Sequence, residues 1–211
     1  MRHKNSQRRM PTDGHVVFIT TVTCERYPYF RDQTLSELFV LDLYFAAELK
    51  EIELYGYAVL PDHVHLLFRP SEEINYSEVV GSIKRNVARD VNCLFTGKPF
   101  IRNLHAGDDS NRRLRGNFDM MERKPNQVSF AVFEHHFHEL EILRKRFEAS
   151  GRHWIPSFRW QKSFHDHIIR NEKDFYKHLN YIWGNAVKHG LAKEPEDWKW
   201  VWILGLHPPA Q

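Results

Sequence analysis

Apolar and polar positions along the chain follow two different periods, and each period predicts one kind of element. Residues 15–24 form a short segment rich in β-branched side chains, which is typical of a strand. From Leu35 onward apolar residues recur at helical steps, and Thr34 and Glu37 have the spacing of a capping box. A strand followed by a helix therefore opens the predicted fold.

The middle of the chain predicts a hairpin and then a second helix. Residues 52–60 and 63–70 are two strands joined by only two residues, so we expect a tight antiparallel pair. Behind Ser77, which we predict as the helix cap, apolar residues recur every fourth position. These residues are Val79, Ile83, Val87 and Val91.

The last part of the chain predicts one more strand and one more helix. Residues 157–169 have the pattern of a strand, and Asn171 is expected to open a helix that runs to Lys188 and stops at Gly190. The order is then βαββαβα. With its central antiparallel hairpin, this order predicts the α+β class: a ferredoxin-like split βαβ antiparallel sheet with helices on one face and the other face open.

Length and composition limit the number of domains. A chain of 211 residues with 42% hydrophobic side chains can bury one good core. We therefore predict a single domain over residues 14–200, preceded by a basic arm at residues 1–10 and followed by a tail at residues 201–211.

An insertion interrupts the predicted domain at residues 96–156. Residues 96–126 are poor in apolar side chains and have no period, so we expect them to be mobile. Residues 127–149 place apolar side chains at helical spacing and predict an amphipathic helix. Three histidines of this helix could suggest a metal site, but no second cluster of ligand residues supports it, and a plain amphipathic helix is favoured. They are His135, His136 and His138.

Charge and cysteine content narrow the compartment and the partners. The net charge is only +3, from 30 basic and 27 acidic residues, so a nucleic-acid partner must be argued from local clusters. Cys24 and Cys93 are too few for a disulfide framework, and no apolar run follows the basic arm. These features predict a cytoplasmic protein with no membrane partner.

Two histidines on one predicted strand are the clearest chemical signal. In LPDHVHLLF, residues 60–68, His63 and His65 are separated by one valine, and alternate side chains of a strand share a face. Such a pair can also be a solvent-facing surface without chemistry. The last helix supplies further candidates, because Tyr181 lies off its apolar stripe and Asn185 follows one turn later. Taken alone, Tyr181 is more simply a tyrosine at the rim with its hydroxyl in water.

Three blocks of sequence, in this order, carry a family resemblance. LPDHVHLLF, WQKSFHDHIIRNEKDF and YIWGNAVKHGL, with EPEDWKW near the end, resemble the REP-associated tyrosine transposases, a branch of the single-tyrosine HUH nucleases. The resemblance covers residues 14–92 and 158–200. The chain has Ala186 where the family usually has a proline, and alanine continues a helix without strain.

The resemblance implies a role for each candidate residue. His63 and His65 would bind a divalent metal, Asn185 would be its third protein ligand, and Tyr181 would be the nucleophile. We expect Mg²⁺ or Mn²⁺, because an open, oxygen-rich coordination sphere is needed.

The activity that the resemblance implies is cleavage and transfer of DNA strands. The protein would be a metal-dependent single-stranded DNA endonuclease and strand transferase that acts on hairpin DNA of repetitive extragenic palindromes through a 5′-phosphotyrosine intermediate. Two alternatives stay open: a nonenzymatic binder of structured single-stranded nucleic acid on the same fold, and a metallohydrolase that uses the histidine pair with water. A monomer is favoured over a dimer.

Basic residues in two places are candidates for DNA contacts. One group lies on the second helix away from its valine stripe, where an ordinary solvated face is an equal alternative. The other group is the basic arm, which could follow a DNA backbone or groove. The helix residues are Lys84, Arg85 and Arg89, and the arm residues are Arg2, Lys4, Arg8 and Arg9.

Overall fold

The computed structural model describes residues 14–100, 127–151 and 156–205. Its strands are β1 (Val17–Val22), β2 (Glu53–Leu60), β3 (His63–Arg69), β4 (His165–Ile168) and β5 (Val201–Ile203). Its α-helices are α1 (Gln33–Leu49), α2 (Tyr76–Thr96), α3 (Gln127–Ala149), α4 (Glu172–Trp183) and α5 (Asn185–Lys188). The predicted basic arm and residues 101–126 of the predicted insertion lie outside the described residues.

The strands form one sheet in the order β4-β1-β3-β2-β5, with every neighbouring pair antiparallel. The first four strands in this order are those of a split βαβ sheet, so the predicted α+β fold class is confirmed. Strand β5 is an addition that the sequence did not indicate, since residues 201–203 were assigned to a tail. All three residues of β5 are buried, and their pairing with β2 explains why they leave solvent.

Helices cover both faces of the sheet, whereas the sequence predicted helices on one face only. Helices α1, α2 and α3 pack with one face around the larger apolar core. Helix α4 lies on the other face, where Leu179 and Ile182 pack against Ala58, Leu60 and Leu67 of the hairpin. The central strands β2 and β3 are accordingly buried on both sides along nearly their whole length. The amphipathic stripe of α4 needed this second apolar surface.

Two helix caps differ from the prediction by two residues. Helix α1 is capped by Asp32 rather than Thr34, whose backbone N–H donates to the Asp32 side chain at 2.8 Å. Helix α2 is capped by Asn75 rather than Ser77, whose backbone N–H donates to Asn75 at 2.8 Å. Both caps are the side-chain oxygens that helix N-termini favour most.

Helix α3 occupies the range in which the spacing predicts a helix, and it docks on α1. Its residues Leu140, Leu143 and Phe147 are buried in the larger core.

In the described part of the chain, no helix is long and apolar enough to cross a bilayer.

Candidate catalytic site

The histidine pair lies on β3 and faces the layer of α4. Side chains alternate along this strand: Val64, Leu66 and Phe68 enter the larger core, whereas His63 and His65 share the opposite face. Their ring centroids are 4.9 Å apart. The prediction of a shared face agrees with this arrangement. The pair is not on an open surface, however, because only 7% of His63 and 3% of His65 is exposed.

Each imidazole is held through its Nδ1 atom. Nδ1 of His63 lies 2.6 Å from a carboxylate oxygen of Asp62, and Nδ1 of His65 lies 2.8 Å from Oγ1 of Thr20 on β1. Asp62 also accepts a hydrogen bond from Arg26 at 2.9 Å. When Nδ1 carries the hydrogen, it donates to these oxygens and Nε2 keeps a lone pair. Hydrogen-bond partners of this kind, which contact the histidine rather than the metal, usually fix the tautomer and orientation of metal-binding histidines.

Nε2 of His65 is buried and has no hydrogen-bond partner within residues 14–100, 127–151 and 156–205. A buried polar atom without a partner costs free energy, so native proteins leave few of them. The Nε2 atom of His65 is therefore a donor atom that the fold keeps available.

Burial keeps both imidazoles neutral. Burial first, and the electrostatic effects of His63, His189 and Lys188 after it, together lower the pKa of His65 to about 3. Burial also lowers the pKa of His63, although Asp62 opposes this effect. Burial would raise the pKa of the Asp62 carboxyl, but hydrogen bonds from His63 and Arg26 hold it below its usual value. Neutral imidazole is the form that binds metals.

Tyr181 is at the surface of α4 and reaches the histidine pair. Its ring centroid is 5.1 Å from that of His65 and 5.8 Å from that of Phe18, both with nearly perpendicular rings. Its exposed fraction is 37%, so the side chain is accessible from solvent. Tyr55 and Tyr57, the tyrosines of the neighbouring strand, are buried, and Tyr176 is exposed.

The predicted helix from Asn171 to Lys188 is interrupted at Gly184. Asn185 is the first residue of the short helix α5, which follows this interruption. The interruption is local: the Gly184 N–H still bonds the Asn180 carbonyl at 3.0 Å. Asn185 is fully buried, with 0% exposed, and neither its amide nitrogen nor its amide oxygen has a hydrogen-bond partner in the described part of the chain. The helical stretch that contains Asn185 stops at Gly190, which has a positive φ of 67°, as the sequence predicts.

The predicted metal ligands fit a divalent cation by their chemistry. His65 and Asn185 each keep a buried polar atom unpaired in the described chain, and Asp62 and Thr20 hold the Nδ1 atoms so that Nε2 is left as the ligand atom. Two neutral imidazoles and an amide oxygen are a donor set that leaves other coordination positions open.

The basic residues predicted on α2 lie in the helix layer on the opposite side of the sheet from the histidine pair. Lys84 donates hydrogen bonds to the carbonyls of Gln161 and Ser163, at 2.8 and 3.2 Å. Arg89 is paired with the buried carboxylate of Asp90 at 2.7 Å. Both side chains thus have structural roles that sequence spacing did not indicate. Arg85 is exposed on the same helix, and the four basic residues of the arm lie outside the described residues.

Among the described residues, two further groups of side chains have donor atoms within 4.8 Å of one another and could hold a metal ion. One group is exposed in part: Asp174 contacts His167 at 2.8 Å and His178 at 3.3 Å. The other group is buried between α1, α2 and α3 and comprises Asp42, Asp90 and His136.

The surroundings of His136 add contacts that the sequence did not indicate. The sequence placed this histidine in a plain amphipathic helix without a site. In the structure it is buried, lies 3.1 Å from the Asp42 carboxylate and stacks on the ring of Phe45 at 4.1 Å. The reason is that α1 offers a carboxylate and an aromatic ring on the surface where α3 docks.

The sequence missed several residues that surround the site. Thr20, Phe18 and Lys188 contact His65 or Tyr181, and the ring of His189 is 5.4 Å from that of His63. Thr20 and Phe18 could have been found from the period of β1, because they alternate with the buried Val17 and Ile19. Lys188 and His189 carry no such signal, since they follow the interruption at Gly184.

Comparison with known proteins shows which proteins the chain is similar to. Residues 12–101 match the family described as "Transposase IS200 like". The match includes His63 and His65 and ends before Tyr181 and Asn185. The resemblance to tyrosine transposases that the three sequence blocks indicate is thereby confirmed.

Individual relatives are of the same kind. A Haemophilus influenzae protein named "Putative REP-associated tyrosine transposase" is 25% identical over 195 residues, which is 92% of this chain and 82% of the relative. The Escherichia coli REP-associated tyrosine transposase is 51% identical over 39 residues, 18% of this chain and 24% of the relative. A solved structure described as a REP-associated tyrosine transposase bound to a REP hairpin is 20% identical. It covers 96% of this chain and 88% of its own, with a TM-score of 0.49.

Proposed function

We propose that the protein is a metal-dependent endonuclease and strand transferase of single-stranded DNA that uses Tyr181 as its nucleophile. In the reaction the Tyr181 hydroxyl gives up its proton and its oxygen forms a bond to phosphorus. The bond between phosphorus and the 3′ oxygen breaks, and that oxygen takes up a proton. The products are a 5′-phosphotyrosine and a free 3′ hydroxyl, a polarity that follows from the family resemblance. The phosphotyrosine ester keeps the bond energy for rejoining.

One observation carries this proposal: an accessible tyrosine lies against a buried pair of neutral histidines. The ring of Tyr181 is 5.1 Å from that of His65, and the Nε2 atom of His65 is unpaired in the described chain. A nucleophile beside a set of metal-binding atoms is what phosphodiester cleavage requires.

His63, His65 and Asn185 are the residues that would hold the divalent cation. Asp62 and Thr20 would orient the two imidazoles. A cation bound there supplies Lewis-acid stabilisation of the charge that develops on the phosphate oxygens. Mg²⁺ or Mn²⁺ is expected because the cation must also bind ligands that the protein does not supply.

Hairpin DNA of repetitive extragenic palindromes is the proposed substrate. The support is the family resemblance of the three sequence blocks and the names of two relatives, both of which contain the words "REP-associated tyrosine transposase". The basic arm, with Arg2, Lys4, Arg8 and Arg9, stays a predicted DNA-binding element. Removing residues 1–10 should make the salt dependence of hairpin affinity shallower, by about 0.7 for each single-strand phosphate that the arm neutralises.

The test is to trap the covalent adduct. The protein is incubated with Mn²⁺ and an end-labelled single-stranded hairpin from such a palindrome, and the adduct is mapped by mass spectrometry. We expect a nucleotide on Tyr181. The Tyr181→Phe variant should lose the adduct but keep DNA binding, because phenylalanine keeps nearly all of the packing volume.

Tyr176→Phe is the matched control, since Tyr176 lies on the same helix and is 51% exposed. It should react like the unaltered protein. Cleavage without an adduct would instead favour a metallohydrolase that uses water, and binding without cleavage would favour a nonenzymatic binder. A nucleotide on another residue would show that the nucleophile is misassigned.

A further inference from the structure

The side chain of Lys188 places a positive charge close to Tyr181, the candidate nucleophile. Its Nζ atom lies 5.0 Å from the ring centroid of Tyr181, over the face of the ring. It reaches this position from α5, the short helix that also carries the buried Asn185. Nucleophile, proposed ligand and ammonium group are therefore brought together by the same turn of chain around Gly184.

The ammonium group of Lys188 forms no ion pair within the residues that the structure describes. Within the described ranges no carboxylate lies within ion-pair distance of Lys188, and the side chain is exposed. Asp62, the acidic residue that precedes His63 on the β3 side of the site, is already bonded to His63 and Arg26. A lysine on a flexible stem, next to solvent, can shift its Nζ toward an incoming anion.

The positive charge of Lys188 favours an anion at this point. His189 follows it and packs its ring 5.4 Å from that of His63. Lys188 therefore lies on the side of the site that holds both Tyr181 and the histidine pair. A phosphodiester is the anion that the proposed reaction must bring there.

We propose that Lys188 is a further catalytic residue, whose ammonium group binds a nonbridging oxygen of the phosphodiester that Tyr181 attacks. This inference rests on the proposed function. Lys188 transfers no proton and forms no bond in the step described above. It contributes charge, which counts most where negative charge increases on the phosphate during attack.

The first test measures binding without chemistry. In a Tyr181→Phe background, the affinity for a single-stranded hairpin that spans the cleavage site is measured at several salt concentrations. Adding Lys188→Met, which keeps a long apolar stem for packing on the ring, should make the plot of log affinity against log salt shallower by about 0.7. Lys173→Met is the control, because Lys173 is exposed in the first turn of α4, two turns before Tyr181. It should leave the slope unchanged.

The second test measures the chemical step. With Tyr181 present, Lys188→Met should slow formation of the adduct at saturating DNA by about a hundredfold, and Lys188→Arg should restore a large part of the rate. A DNA with a neutral methylphosphonate at the cleavage site has no charged nonbridging oxygen to stabilise. On that DNA the variant and the unaltered protein should differ by less than about threefold.

The outcomes separate this inference from the proposed function. If the unaltered protein forms no adduct on Tyr181, both the proposed function and the role of Lys188 are wrong. An unaltered rate in Lys188→Met overturns the role of Lys188 alone. So does an equal loss on phosphate and methylphosphonate DNA, because a lysine that only supports the helix would slow both reactions alike.

Discussion

The two faces of the sheet are built from the same strands but follow different rules. On the face toward α1, α2 and α3, strand β3 presents Val64, Leu66 and Phe68 to a continuous apolar core. On the face toward α4 it presents His63 and His65, with only Leu67 joining the smaller apolar cluster. One face buries apolar side chains, and the other buries polar side chains in place of apolar ones.

The comparison extends to the polar atoms. His65 and Asn185 lie on the α4 side and keep buried atoms unpaired in the described chain. Sites that depart from full pairing of buried polar groups are commonly functional, because another demand outweighs their cost. The opposite face also holds such an atom, Oγ1 of Thr21, but on the α4 face the unpaired atoms belong to two candidate metal ligands, so function is expected there.

Replacing one residue on each face of β3 should give the largest difference between the two faces in activity and stability. His65→Ala should reduce adduct formation more than a hundredfold, because losing a group behind a metal ligand already costs roughly 10- to 100-fold. Its unfolding free energy should change by less than about 1 kcal/mol without metal. Phe68→Ala should cost about 3 to 5 kcal/mol of unfolding free energy, since its side chain is fully buried.

Urea unfolding in a metal chelator and the adduct assay, run on both variants, check these expectations. The residual folded fraction of Phe68→Ala should remain active, because its side chain points away from the site. Severe destabilisation by His65→Ala would show that the histidine pair is a structural part of the core.

The apolar face is also the part of the fold that sequence predicts well. The period of four in Val79, Ile83, Val87 and Val91 identified the buried stripe of α2, and all four are buried. Strand β5 could not be predicted, because three residues are too few for a period, and β2 supplies the reason for their burial. The caps Asp32 and Asn75 were missed because Thr34 and Ser77 are also favoured cap residues.

The candidate site is predictable only where one element determines it. The shared face of His63 and His65 follows from the period of a strand. The place of Asn185 needs the interruption at Gly184, and the partnership of His136 with Asp42 needs the docking of α3 on α1. Contacts between elements far apart in sequence leave no local pattern.

Two neighbouring threonines on β1 sharpen the comparison of the faces. Thr20→Val removes the oxygen that lies 2.8 Å from Nδ1 of His65, so Mn²⁺ affinity should fall roughly 10- to 100-fold. Thr21→Val alters the opposite face, where Oγ1 of Thr21 is buried without a partner in the described residues. It should leave Mn²⁺ affinity unchanged and stability equal or higher.

Isothermal titration calorimetry with Mn²⁺ on both valine variants provides the measurement. Equal losses of affinity in the two variants would mean that β1 supports the site through packing rather than through the hydrogen bond to His65.

Acid should destabilise the metal-free protein through the α4 face. The pKa of His65 is lowered from 6.5 to about 3 by burial, so the unfolded chain binds a proton there that the folded chain does not. This contribution is fully present above pH 6.5 and is lost as the pH falls toward 3. Between pH 6.5 and 4.5 we expect a loss of about 2 kcal/mol.

His65→Gln is the control for this pH dependence, because glutamine is polar but does not titrate. Its unfolding free energy in urea, measured with a chelator present, should fall less over the same pH interval. Parallel pH profiles for the two proteins would exclude His65 as the source.

The smallest effect should come from the connection between α2 and α3. We expect that replacing residues 101–126 by a flexible Gly/Ser linker changes the unfolding free energy by less than about 1 kcal/mol. The reason is that α3 is held on the apolar face by Leu140, Leu143 and Phe147, which the linker leaves in place. The entropy of closing a loop also changes only slowly with its length. Urea unfolding should remain a single transition with an unchanged slope. A lower slope or a second transition would mean that the replaced residues contribute to the core, and the apolar face would then extend beyond the three helices that cover it.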